Sequence, residues 1–163
     1  MARVAIGLGS NLGDREGMLR RAVGRLGERL VHLRVSRMID TEPLYVADQP
    51  RFLNAVAVGE TSLGPRELLG FLKGLEAELG RSPRQRYGPR EIDLDLVAYG
   101  SLSYRYREAG ATVLQVPHPA LGERGFVLGP LAELEPEWVL PGLGRVGDLA
   151  DRLASGQVSA CSC

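Results

Sequence analysis

The sequence predicts an α+β fold, a ferredoxin-like α/β plait of order βαββαβ, in which an antiparallel sheet carries both helices on one face. Three observations lead there. Two buried-strand patterns, "ARVAIGLGS" and "FLNAVAVGE", each run into a segment with one leucine-rich helical face. Each of those segments then returns to a further strand pattern. Last, the 163-residue chain is 44% hydrophobic and 25% charged, which suits one globular domain with a sizeable core.

In order, "ARVAIGLGS" alternates small and branched residues and predicts the first strand. The "SNLGD" turn follows, and Leu19, Ala22, Val23, Leu26 and Leu30 recur at helical spacing, with Asn11 or Asp14 as the cap. "VHLRVSRMI" alternates through Val31, Leu33 and Val35 as a second strand. "DTEPLYVADQPR" is a Pro-interrupted loop of functional length, and "FLNAVAVGE" is the third strand. Pro65 opens the second helix, Leu68, Leu69, Leu72, Leu75 and Leu79 line it, and Gly80 stops it. After the irregular "RSPRQRYGPR", "EIDLDLVAYG" makes the fourth strand. The rest reads as a less regular appendix, with a short hairpin, the "VPHPALGERGF" segment, and short helices near "VLGPLAEL" and "VGDLADRLA". Residues 1–155 are expected to form a single domain and 156–163 a flexible tail.

Acidic and basic residues balance at 20 each, which argues against a surface built to coat nucleic acid. No apolar run reaches the length of a membrane span, and "MARVAIGLGSNLG" lacks the marks of a signal peptide. Cys161 and Cys163 have no histidines beside them to complete a zinc site and read as part of the tail. A reducing, cytoplasmic setting is expected.

Alternation along the fourth strand puts Glu91, Asp93, Asp95 and Val97 on one face and Ile92, Leu94, Leu96 and Ala98 on the other. Asp93 and Asp95 are about 6.6 Å apart along the strand, close enough to converge on hard cations. A solvated sheet face gives the same pattern. Arg81, Arg84, Arg86 and Arg90 crowd the preceding loop, where their forks suit phosphate oxygens. Pairing of these arginines with Asp93 and Asp95 themselves is the plainer alternative. Phe52 and Asn54 share a strand face that could stack on and hydrogen-bond a flat heterocycle, or serve as core and edge cap. His118 shares its segment with Arg124 and Phe126, and His32 receives no role. "GLGSNLGD" has neither dinucleotide-binding nor Walker spacing and reads as a tight strand-to-helix turn.

"GLGSNLGDR", "TEPLYVADQPRFLNAVA", "RYGPREIDLDLVAYG" and "VPHPALGERGFVLGPLAEL" stand in the order and spacing of the 6-hydroxymethyl-7,8-dihydropterin pyrophosphokinases. The chain resembles that family from about residue 3 to residue 140. The resemblance implies transfer of pyrophosphate from ATP to a pterin alcohol in folate biosynthesis, releasing AMP. It implies that Asp93 and Asp95 hold two Mg²⁺ ions, with Arg81 and Arg90 as the catalytic arginines. ATP would be bound by those two arginines with Lys73, Arg84, Arg86, His118 and Arg124, and Glu76 also falls near the nucleotide. The pterin would be bound by Thr41, Pro43, Leu44 and Asn54, between Phe52 and Phe126. The implied partners are these two substrates, with no nucleic acid or membrane, and the chain is expected to be a monomer. Departures from the family pattern are Tyr87 for a usual tryptophan, Tyr45 for a common glycine, Glu91 for a threonine, and Arg84 one residue beyond the expected arginine. The competing reading is a ferredoxin-like RNA-binding module using the same sheet and arginine loop.

Overall fold

The computed structural model describes residues 1–42, 50–80 and 91–156. Strand β1 (Ala2–Ser10) leads to helix α1 (Arg15–Leu26), then β2 (Val31–Val35) and β3 (Ile39–Thr41). Strand β4 (Phe52–Thr61), helix α2 (Pro65–Glu78) and β5 (Asp93–Tyr99) complete the second half. The sheet order is β2-β4-β1-β5, all neighbours antiparallel, with β3 also paired to β4. This is the predicted plait.

Asp14 caps α1 by accepting from the Gly17 N–H at 3.1 Å, while Asn11 turns away to donate to the Pro50 carbonyl at 3.0 Å. α2 starts at Pro65 as expected, and Gly80 ends it with φ +99°. Leu19, Ala22 and Leu26 of α1 and Leu68, Leu72 and Leu75 of α2 pack on Val4, Ile6, Leu8 and Leu94.

The structure corrects two expectations. "VHLRVSRMI" is two strands: β2 ends at Val35 and β3 begins at Ile39, and within β2 the register against β4 also shifts between Val31 and Arg34, where His32 adopts φ 54°. Ser36 then bridges the gap, its Oγ accepting the Val56 N–H at 2.9 Å. Ala98 does not join Leu96 on the helix side. Opposite Ala5 and Ile6 stand Ala98 and Leu96, so Val97 is an inserted bulge residue, and both Val97 and Ala98 enter a second core. Gly7 and Gly9 lie within β1, as the first strand pattern predicts, and Gly13, at φ +72°, turns the chain toward α1.

The appendix builds the second core. After the hairpin β6 (Tyr104–Glu108) and β7 (Ala111–Val116) come α3 (Gly125–Leu134), the two-residue strands β8 (Val139–Leu140) and β9 (Gly144–Arg145), and α4 (Val146–Ala154). Val127, Leu128, Leu131, Trp138 and Val146 cover Ala5, Val56, Val58 and Val97 on the sheet face opposite α1 and α2. An RNA-binding module of this plait keeps that face open for bases. Here much of it is packed. No helix among the described residues is long and apolar enough to cross a membrane.

Candidate active site

Strand register draws the site. Gly9 of the central strand pairs with Asn54 on one side and Asp93 on the other, and Gly7 pairs likewise with Val56 and Asp95. Adjacent strands lie about 4.8 Å apart, which sets Asn54 and Asp93 about 10 Å from each other across Gly9. The strip between them is bare backbone. A Cβ on Gly9 would come within 2.9 Å of Asn54 Oδ1 and 3.6 Å of Phe52 Cδ1. The sequence reading placed both glycines in the first strand but gave them no part in a site. Their place inside a strand pattern, where glycine marks close approach of a ligand or backbone, was the available signal.

On the β4 side Asn54 is 8% exposed, and its Nδ2 donates to Thr41 Oγ1 at 2.5 Å. Thr41 faces Phe52 across the β3–β4 ladder. A polar frame ties these strand ends together. Arg15 donates to the Arg51 carbonyl at 2.9 Å and to Asp40 Oδ2 at 3.3 Å, while Arg51 Nε donates to Asp40 Oδ1 at 2.8 Å. The Arg15 and Arg51 guanidiniums hold the Asp40 carboxyl below its usual range.

On the β5 side Asp93 and Asp95 are half-buried on one face, as alternation predicts. Burial, then the adjacent Asp93 charge, pushes Asp95 up to about 7, against the opposing pull of Lys73 and Arg124. Two like charges are therefore held together at a cost. A hard divalent cation removes that cost, and an all-oxygen donor pair suits Mg²⁺ coordinated further by phosphate and water. Among the described residues the protein supplies no larger cluster of metal-binding side chains.

Lys73 and Glu76 come from α2. Glu76 is 4% exposed, its Oε2 accepts the Leu94 N–H at 2.7 Å, and its Oε1 stands 3.4 Å from Lys73 Nζ. The appendix supplies the last side. His118 donates its backbone N–H to Val97 O at 2.8 Å, which docks the segment on β5. The Ala120 N–H donates to His118 Nδ1 at 3.2 Å, leaving the ring proton on Nε2. Burial, then Arg124, lowers His118 to about 4, with Asp93 opposing, so the ring is neutral near pH 7. The Arg124 guanidinium lies 5.8 Å from the Phe126 ring centre at the start of α3.

The structure thus gathers Lys73, Asp93, Asp95, His118 and Arg124 at one end of the sheet, and Thr41, Phe52 and Asn54 across Gly9 from the acids. Pro43, Leu44, Tyr45, Arg81, Arg84, Arg86, Tyr87, Arg90, Cys161 and Cys163 lie outside the described residues.

Comparison with known proteins gives the same picture. Residues 5–136 match the model of the 7,8-dihydro-6-hydroxymethylpterin-pyrophosphokinase family. The Aquifex aeolicus 2-amino-4-hydroxy-6-hydroxymethyldihydropteridine pyrophosphokinase is 40% identical over 141 residues, which cover 86% of this chain and 85% of that protein. The pea mitochondrial folate synthesis bifunctional protein is 44% identical over 132 residues, covering 80% of this chain but only 25% of that longer protein. The fold also matches a solved HPPK-DHPS of Plasmodium falciparum with a TM-score of 0.77 at 14% identity, over 96% of this chain and 46% of that one. The chain belongs to the 7,8-dihydro-6-hydroxymethylpterin-pyrophosphokinase family.

Proposed function

We propose that this chain carries out its family's reaction, pyrophosphoryl transfer from ATP to 6-hydroxymethyl-7,8-dihydropterin in folate biosynthesis, with Mg²⁺ held by Asp93 and Asp95. The observation that supports this reading is the row Asn54–Gly9–Asp93, a carboxamide and a carboxylate on opposite sides of a glycine in the central strand.

The pterin lies against Asn54, whose carboxamide is anchored by the Thr41 hydroxyl, with Phe52 and Phe126 supplying its aromatic contacts. Its hydroxymethyl oxygen points toward the acids and attacks the β-phosphorus of ATP in line as the bond to the AMP oxygen breaks. Bound at Asp93 and Asp95, Mg²⁺ ions supply charge neutralisation of the triphosphate and a lowered pKa for the attacking hydroxyl. Arg124 and Lys73 bring fixed positive charge to the phosphates, and neutral His118 offers its Nε2–H as a donor. Arg81, Arg84, Arg86 and Arg90 are assigned to the same polyphosphate on their residue type and place in sequence. Catalysis is positioning and electrostatics, with no covalent enzyme intermediate.

The test combines ATP, Mg²⁺ and the pterin alcohol and resolves nucleotides by chromatography. AMP formed in step with pterin diphosphate is expected. ADP would mean ordinary kinase chemistry, and an absence of product in the presence of both Mg²⁺ and Mn²⁺ would sink the assignment. The RNA-binding alternative is disfavoured by the packed second sheet face and by acids where such modules stack bases.

A further inference from the structure

Among the described residues β5 is an edge strand, with a ladder partner on one side only. At Leu94 the backbone is met from outside the sheet, by Glu76 of α2. Its Oε2 accepts the Leu94 N–H at 2.7 Å. The bonded amide belongs to the peptide that joins Asp93 to Leu94, and Asp95 is the next residue. Rotation of this peptide would swing both carboxylates.

Glu76 is an odd choice for that position on packing grounds. It is 4% exposed on a helix whose neighbouring buried positions are Leu68, Leu72 and Leu75. A leucine would pack there without the desolvation cost of a carboxylate. A buried acid beside two further acids is retained at a cost in stability, which points to what it holds. Lys73, the only lysine in the chain, stands 3.4 Å from the other carboxylate oxygen. Glu76 therefore links the nucleotide-side cation on α2 to the peptide that carries the acid pair.

We propose that Glu76 is a positioning residue for the cation site: its hydrogen bond to the Leu94 amide locks the Asp93–Leu94 peptide so that the two aspartates keep a convergent geometry. This rests on the pyrophosphokinase reading of Asp93 and Asp95. Glu76 touches no reacting atom and acts through the strand it holds.

The experiment compares wild type with Glu76→Gln and Glu76→Ala. Amide hydrogen exchange is followed at Leu94 by NMR, and Mg²⁺ is titrated calorimetrically into protein saturated with a non-hydrolysable ATP analogue. In Glu76→Ala, exchange at Leu94 accelerates and Mg²⁺ binding weakens by about 10- to 100-fold, the usual consequence of losing an outer-shell support. Glu76→Gln keeps a carbonyl oxygen for the same N–H, so protection at Leu94 persists and Mg²⁺ affinity stays within about threefold. The pterin KM is unchanged in both.

A folded Glu76→Ala protein with wild-type Mg²⁺ affinity overturns the proposal, as does a Glu76→Gln protein that loses Mg²⁺ while Leu94 stays protected. If Glu76→Ala does not fold, that second outcome and its converse still decide the matter. Failure of the wild type to bind Mg²⁺ with the nucleotide analogue would instead overturn the function itself, and is distinguishable because it needs no variant.

Discussion

Gly9→Ala separates site from scaffold at a single atom. Gly9 lies in β1 outside the positive-φ region, so alanine is compatible with its backbone. Substituting glycine by alanine where the backbone allows it stabilises by about 0.4–1 kcal/mol through the unfolded chain. The new methyl, however, would meet Asn54 Oδ1 at 2.9 Å, which is 0.5 Å inside the ordinary contact distance of 3.4 Å. Asn54 cannot retreat freely, because its amide is bonded to Thr41 at 2.5 Å. Overpacking of this kind costs about 1–3 kcal/mol, which outweighs that gain and leaves a modest net loss of stability. The same methyl occupies the strip where the heterocycle would lie. Pterin affinity should fall by about 5- to 150-fold, the range that 1–3 kcal/mol spans. Nucleotide affinity should be nearly unaffected, since the acids, His118 and Arg124 lie off the Asn54 side. Calorimetric titration with the pterin and, separately, with an ATP analogue and Mg²⁺ reads the two affinities, and urea unfolding reads the stability. A pterin affinity within twofold of wild type, or equal losses for both ligands, would refute the placement of the ring over Gly9.

Asp95→Ala should fold and lose turnover by several orders of magnitude in the AMP-release assay. Asp95→Asn should be more stable than wild type in chelator at pH 8 by urea unfolding: the folded carboxyl is raised to about 7 against 3.8, so wild-type stability is lost as pH rises through that window and the amide escapes the penalty. His118 has the opposite slope. Its folded pKa, lowered to about 4 from 6.5, means that only the unfolded chain gains the proton between those values, so stability falls as pH drops through them, by about 3 kcal/mol at pH 4. Unfolding of His118→Asn at pH 7 and pH 4.5 should show a flatter dependence. Asp14→Ala should lose about 1 kcal/mol of stability with unchanged kinetic constants, because it removes only the α1 cap.

The plait was legible because each element announces its period. Leu68, Leu72 and Leu75 recur at helical spacing, and Ile92, Leu94 and Leu96 alternate, so both sides of the first core can be read from pattern alone. Periodicity failed where one residue changes phase. The bulge at Val97 sent Ala98 to the opposite face, and the interruption beginning at Ser36 split one strand into two. Neither residue type announces such a break. In the site, Asp93, Asp95, Phe52 and Asn54 were readable because each lies on a regular strand. Gly7 and Gly9 were readable as strand, but not as the bare row between Asn54 and the acids, because only the register of the neighbouring strands reveals it. Resemblance placed Glu76 near the nucleotide, but its bond to β5 was not legible, because a glutamate on a helix usually faces water and its partner is a backbone amide 18 residues away.

The appendix was the least legible part, and its two roles explain why. Val127, Leu128 and Leu131 of α3 cover the sheet at Ala5, Val56 and Val97, while Arg124, at the start of the same helix, lies near enough to Asp95 to act on its charge. A segment that is core on one side and site on the other cannot keep one clean amphipathic period. The arrangement also answers an energetic problem. The site removes packing from the central strand at Gly7 and Gly9 and forces Asp93 and Asp95 together, both of which weaken the sheet at that end. β1 nevertheless stays paired along its length to β4, and β5 is held from outside by Glu76 and by the His118 backbone. Support therefore falls on the backbone of the site strands, while the apolar burial that the site forgoes is recovered on the same sheet face under α3.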